Sequence, residues 1–199
     1  MKILCVLWAL FLTAAAALGA GSPAAQKGKP VPAAPPKSAA EVTCYYGPSE
    51  SFLPGGQKVG VTSVLLKRTL EPAKNTITEQ VVTIDPRPDV LAREYVLTMQ
   101  VSGARFTLTD SHKTVSGAGQ LVGEAWKWQA WRSKAKLPDG GTLETAFAVV
   151  PQGLRVIKKF FGADGHLRLT YNEMLKPVPE SECKERYDKA MAHKRPRRP

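Results

Sequence analysis

Histidine and cysteine are scarce in this chain, three of each in 199 residues, and that scarcity removes most catalytic and metal chemistry from consideration. There is no His-x-x-x-His pair, no Cys-x-x-Cys and no Gly-x-Ser-x-Gly, so neither a zinc site nor a hydrolase nucleophile elbow has its usual ligands or turn. His112 and His166 fall beside expected turns and His193 in a basic tail, where solvation is the expected state. Gly117-x-Gly119 does not make a nucleotide loop, because extended sequence follows it and a phosphate cradle needs a helix N-terminus. The chain also lacks helical apolar periodicity over most of its length, which excludes bundles and α/β folds. No enzyme activity, no cofactor and no metal are expected.

What is present begins with a leader. Lys2 precedes an apolar run from Ile3 and then an alanine run, the layout of a secretory signal over 1–20; a retained membrane anchor is the competing reading. Residues 21–41 are rich in Pro, Ala, Gly and Lys and read as a disordered linker. The folded domain is expected over 42–193, followed by a basic tail, 194–199. The expected location is extracytoplasmic, periplasmic or secreted. Once Cys5 leaves with the leader, Cys44 and Cys183 remain as a pair in an oxidising compartment, where a disulfide is the default and a two-sulfur metal contribution the alternative. The bond would close a loop of about 140 residues, for which chain entropy estimates roughly 5 kcal/mol.

The formal net charge of +11 is unevenly spread. Between Val42 and Cys183 there are 17 basic and 14 acidic residues, whereas the segment after Cys183 holds seven basic against two acidic. An exported chain rarely meets nucleic acid, so none is expected as a partner. Weak contact of the basic tail with an anionic membrane surface, or a plain solubilising role, fits better. A monomer is expected.

Within the domain, extended runs follow one another between turn signals: Val59–Leu70, Thr76–Ile84, Leu91–Val101, Arg105–Thr109, Thr114–Val122, the tryptophan run, Thr142–Val150, Leu154–Phe161 and Leu167–Leu175. Pro48, Pro54, Gly55 and Gly56 read as chain breaks before the first of them. Ser102-Gly103, Asp139-Gly140 and Asp164-Gly165 are hairpin signals. Only 180–193 reads as a helix, with Cys183, Tyr187 and Met191 on one face. About nine strands joined by short turns form an antiparallel meander. Closing it removes two aggregating edges, so an all-β up-and-down barrel of about 8–10 strands with one C-terminal helix is predicted; a β-sandwich is the alternative.

Gly117-x-Gly119-x-x-x-Gly123-x-x-Trp126-x-Trp128, the hairpin around Asp164-Gly165, the leader and the meander together resemble the lipocalin-like (calycin) barrels, small exported bacterial members above all, over roughly 59–175. The resemblance implies the same closed barrel. Strand alternation puts Trp126 and Trp128 on one face, and Tyr95, Met99, Phe147 and Tyr171 on faces a barrel turns inward. These residues are expected to line a site for a small hydrophobic or amphipathic ligand; a solid core is the alternative. Arg93, Lys158 and Glu173 also fall on apolar faces, where Arg93 or Lys158 would meet a ligand carboxylate or else reach the rim.

Overall fold

The computed structural model describes residues 39–87, 90–124 and 126–192. The leader 1–20, the linker up to residue 38 and the tail 194–199 lie outside the described residues. The chain falls into two units, Met1–Ala34 and Pro35–Pro199, and every described residue belongs to the second.

Ten strands follow in order: β1 (Glu41–Phe52), β2 (Lys58–Glu71), β3 (Thr76–Ile84), β4 (Arg93–Ser102), β5 (Arg105–Asp110), β6 (Ser116–Glu124), β7 (Lys127–Lys136), β8 (Thr142–Val150), β9 (Gly153–Phe161) and β10 (Leu167–Val178). A helix, α1 (Glu180–Ala192), ends the described chain. Each strand pairs antiparallel with the next, and β10 pairs with β1 to close the barrel. The turns therefore alternate between two rims. The β2–β3, β4–β5, β6–β7 and β8–β9 turns share one rim, and the other five share the opposite one.

Closure explains the burial pattern. On β2, Val64 and Leu66 point into the barrel with Ile77, Val81, Met99, Phe106, Leu108, Trp131, Leu154, Val156 and Leu175. Leu65, on the opposite face, is just as buried, because α1 lies across the outer wall over Cys44, Leu65, Val82 and Ala92. This second core is pinned by the Cys44–Cys183 disulfide, by the Tyr187 hydroxyl donating to Glu94 at 3.0 Å, and by the Arg186 guanidinium 3.9 Å from the Tyr46 ring centroid. Glu180 and Glu182 in the first turn and Lys189 in the last complement the helix dipole.

One strand departs from the sequence expectation. Pro48 does not break the chain but sits inside the twelve-residue β1, which the sequence reading omitted. Proline has no N–H to give a ladder. Here β1 stays paired to β2 through Gly47 and Pro48, while the ladder to β10 lapses at those two positions and resumes in the same register at Ser49. Gly47 makes the lapse compact, since a Cβ there would run into the Met174 carbonyl.

A candidate ligand vestibule at the tryptophan rim

Two ion pairs lie inside the barrel, each between adjacent strands. On β2, Arg68 follows Val64 and Leu66 on the inward face, and on β3 Glu79 lies between Ile77 and Val81; the two strands are antiparallel neighbours with Arg68 opposite Glu79. The Arg68 guanidinium donates from Nε (2.9 Å) and Nη2 (2.6 Å) to Glu79 Oε1. It also lies 4.1 Å from the Trp131 ring centroid, with Tyr45 and Phe147 each at 5.7 Å. Trp131 and Phe147 stack at 4.5 Å, so the cation sits over an aromatic floor. Deeper in, Lys158 Nζ donates to Glu173 Oε1 at 2.7 Å and to the Tyr95 hydroxyl at 3.3 Å, and Ser49 donates to the same carboxylate oxygen at 3.2 Å. Side-chain exposure is only 13% for Lys158 and 3% for Glu173. Burial opposes the Lys158 charge, yet the Tyr95 oxygen and the Glu173 carboxylate hold its pKa above the ordinary lysine value. Burial likewise raises Tyr95, so its phenol stays protonated at neutral pH.

The glycines ahead of the tryptophans shape the wall. Gly117 and Gly119 on β6 face Leu108 and Phe106 of β5, and a Cβ at Gly119 would land on the Phe106 ring and the Arg132 carbonyl. This is the close approach that glycine permits. The ladder to β7 then slips: Val122 pairs with Ala130 but Gly123 pairs with Trp128, leaving Gln129 as an extra bulged residue. The bulge resets the alternation. Trp128 and Trp131, three apart, both reach the barrel's inner cluster.

Trp126 is not on a strand, contrary to the alternation expected for Trp126 and Trp128. It occupies the β6–β7 turn with φ of 65°, a left-handed conformation that costs a bulky side chain energy. Its ring reaches Trp128 all the same, with centroids 4.9 Å apart and planes inclined at 49°. Both indoles are half-buried. They overhang a vestibule of about 110 Å³ whose other walls include Tyr45, Arg68, Leu70, Leu121, Lys127 and Trp131.

The remaining expected site residues divide by depth. Tyr95, Met99, Phe147 and Lys158 surround an inner chamber of about 40 Å³, with Met99 and Trp131 also bordering the vestibule. That volume suits a water or two, against the several hundred Å³ of a drug-sized ligand pocket. Tyr171 packs edge-on against Phe160 at 5.5 Å and borders neither space. Arg93 is exposed at the start of β4, the rim placement that strand ends favour. Lys158 is instead internal and already paired. Arg68, Glu79, Tyr45 and Trp131 were missed in the sequence. A signal existed for the first two, each a charge flanked by inward apolar residues, but none for Trp131, whose phase depends on the bulge. His112 and His166 are exposed in turns, and among the described residues no three of His, Cys, Asp and Glu come together as a metal set.

Two grooves flank α1 on the outer wall, of about 460 Å³ beside Leu65, Val82 and Tyr187 and about 410 Å³ beside Tyr46, Ile84 and Ala190. Neither has buried polar groups converging on it comparable to those at the rim.

No family model matches the chain. It is similar to a protein named imidazoleglycerol-phosphate dehydratase from Anaeromyxobacter sp. (strain Fw109-5), at 31% identity over 119 residues, which is 60% of this chain and 55% of that protein. The match thus spans about half the length of the curated relative.

Proposed function

We propose that the chain is a non-enzymatic binding protein of an extracytoplasmic compartment that holds one compact amphipathic ligand at the tryptophan rim of its barrel. The observation that carries this reading is the paired half-buried indoles of Trp126 and Trp128 above an open vestibule, one of them on a left-handed backbone. A residue kept in a strained conformation when glycine or asparagine would relieve it points to a use for its side chain. The ligand sits at the mouth, since the inner chamber is too small for more than water. The Cys44–Cys183 disulfide accords with an oxidising compartment. The similarity to a dehydratase raises an enzymatic reading, but Lys158, Tyr95 and Glu173 do not line the vestibule, so that acid–base cluster is out of reach of a ligand there. Binding is the reading the geometry favours.

One-ring probes test it. Toluene, benzyl alcohol or benzoate should give a saturable change in tryptophan emission, weakened at least tenfold by Trp128→Ala. If no probe gives saturation, the barrel is a solid scaffold acting through its surface.

A further inference from the structure

Across the barrel from α1, the outer wall is strongly basic. Leu121, Trp131, Phe147, Val156 and Leu175 face the inner cluster from β6 to β10, so the residues alternating with them face outward. Six of those outward residues are exposed cations: Arg132, Lys134, Lys136, Arg155, Lys159 and Lys176. The carboxylates on the same face are Glu144, which Lys134 pairs at 3.0 Å, and Glu124 at the edge of β6. The other five cations make no ion pair among the described residues. By contrast α1 carries four acidic residues against three basic, so the positive excess points away from the helix. Arg132, Lys134 and Lys136 stand about 7 Å apart along β7, and Lys159 faces Lys134 across β8 at about 10 Å. The cations form a two-dimensional array.

Where this wall meets the tryptophan rim it turns apolar. One row of outward residues crosses the five strands as Val122, Ala130, Ala148, Arg155 and Met174, each paired with the next. Val122 is 59% exposed and Met174 36%. At the adjoining mouth lie Val149, also exposed, and the half-buried indoles of Trp126 and Trp128. Independently of what the vestibule holds, we propose that this face docks on an anionic phospholipid surface, with the cations over the headgroups and the apolar row and tryptophan rim at the acyl boundary. Lysine and arginine are drawn to anionic leaflets, and tryptophan favours the interface, where its ring meets both phases. Exposed valine and methionine gain from contact only where the partner offers hydrocarbon. A dissolved polyanion supplies the countercharge without that, and a single linear chain meets only part of a planar array.

The test is co-sedimentation of the protein, purified from its native compartment, with vesicles of phosphatidylcholine alone and of an equal mixture with phosphatidylglycerol. Binding should be at least tenfold tighter to the anionic vesicles and should weaken as salt rises. Arg132→Gln combined with Lys159→Gln removes two exposed cations that hold no partner, and it should weaken that binding about tenfold without moving the melting temperature. Val122→Ser combined with Met174→Ser should weaken vesicle binding several-fold yet leave binding of dextran sulfate, a soluble polyanion, unchanged. Equal binding to the two kinds of vesicle, or binding to neither, overturns the proposal. So does loss of binding on deleting residues 194–199 while both wall variants bind like the parent, because the basic tail is then the contact. If the serine pair leaves vesicle binding unmoved, the wall recognises charge alone and the lipid assignment falls.

Discussion

Among single residues, the charges inside the barrel carry the sharpest consequences. Lys158 and Glu173 are each nearly sealed from water, and a buried ion whose partner is removed keeps its desolvation cost without its attraction. Glu173→Leu should therefore destabilise the protein by about 3–5 kcal/mol. Lys158→Met combined with Glu173→Leu should recover most of that loss, since an apolar pair of similar volume replaces the ions at little net cost. Urea unfolding of the three proteins checks this, and additive losses in the double variant would contradict it. This pair shows how far the sequence could be read. Lys158 and Glu173 are visible as charges on apolar strand faces, but their partnership is not, because β9 and β10 could be shown to pair while the inward reach of two side chains could not. Arg68 and Glu79 obey the same alternation on β2 and β3 and were equally legible.

At the scale of elements, turn chemistry and alternation carried the strands from β2 to β10 and the helix, and they failed where backbone irregularity overrides periodicity. Pro48 is normally a stop signal, yet β1 absorbs it by dropping two ladder positions toward β10. The bulge at Gln129 shifts the phase of the strand, so that Trp131 as well as Trp128 reaches the inner cluster and Trp131 borders the vestibule. Gly123, at positive φ on the slip itself, is a local signal that the strand bends there, but it does not say which side chains change face. The helix gives a testable case of an element held by few contacts of its own. Its buried residues are Cys183 and Ala190, small side chains that contribute little apolar area. Replacing Cys44 and Cys183 by serine should thus lower stability by up to roughly 5 kcal/mol on the chain-entropy estimate. The barrel should remain folded while amides of α1 lose hydrogen-exchange protection first; uniform loss across all strands would show instead that the helix and barrel unfold as one unit.

For the molecule as a whole, the interior network sets the response to pH. Tyr95 and Lys158 both hold their protons more tightly in the folded state than their ordinary values of 10.0 and 10.5. A folded-state pKa raised above the unfolded one contributes stability that is complete below the unfolded value and drains away as pH rises past it. Stability should accordingly be flat from neutrality to about pH 10 and fall beyond it. Tyr95→Phe should make that fall shallower by up to one proton's worth of slope, about 1.4 kcal/mol per pH unit. Thermal melts from pH 7 to 11 would reveal it, and an identical slope in the variant would remove Tyr95 from the account.

Nine of the ten strand pairings join neighbours along the chain; the tenth joins β1 to β10, with Cys44 opposite Val178. Hairpins zip locally and quickly, whereas bringing the two extremes of the domain together must overcome the entropy of the whole intervening chain. That entropic toll concentrates the kinetic barrier in one seam. Cys44 lies in the seam itself and Cys183 just past its end, so thiol oxidation there acts as a latch: it cannot speed the first encounter of β1 with β10, but it keeps a barrel that has closed once from drifting open again.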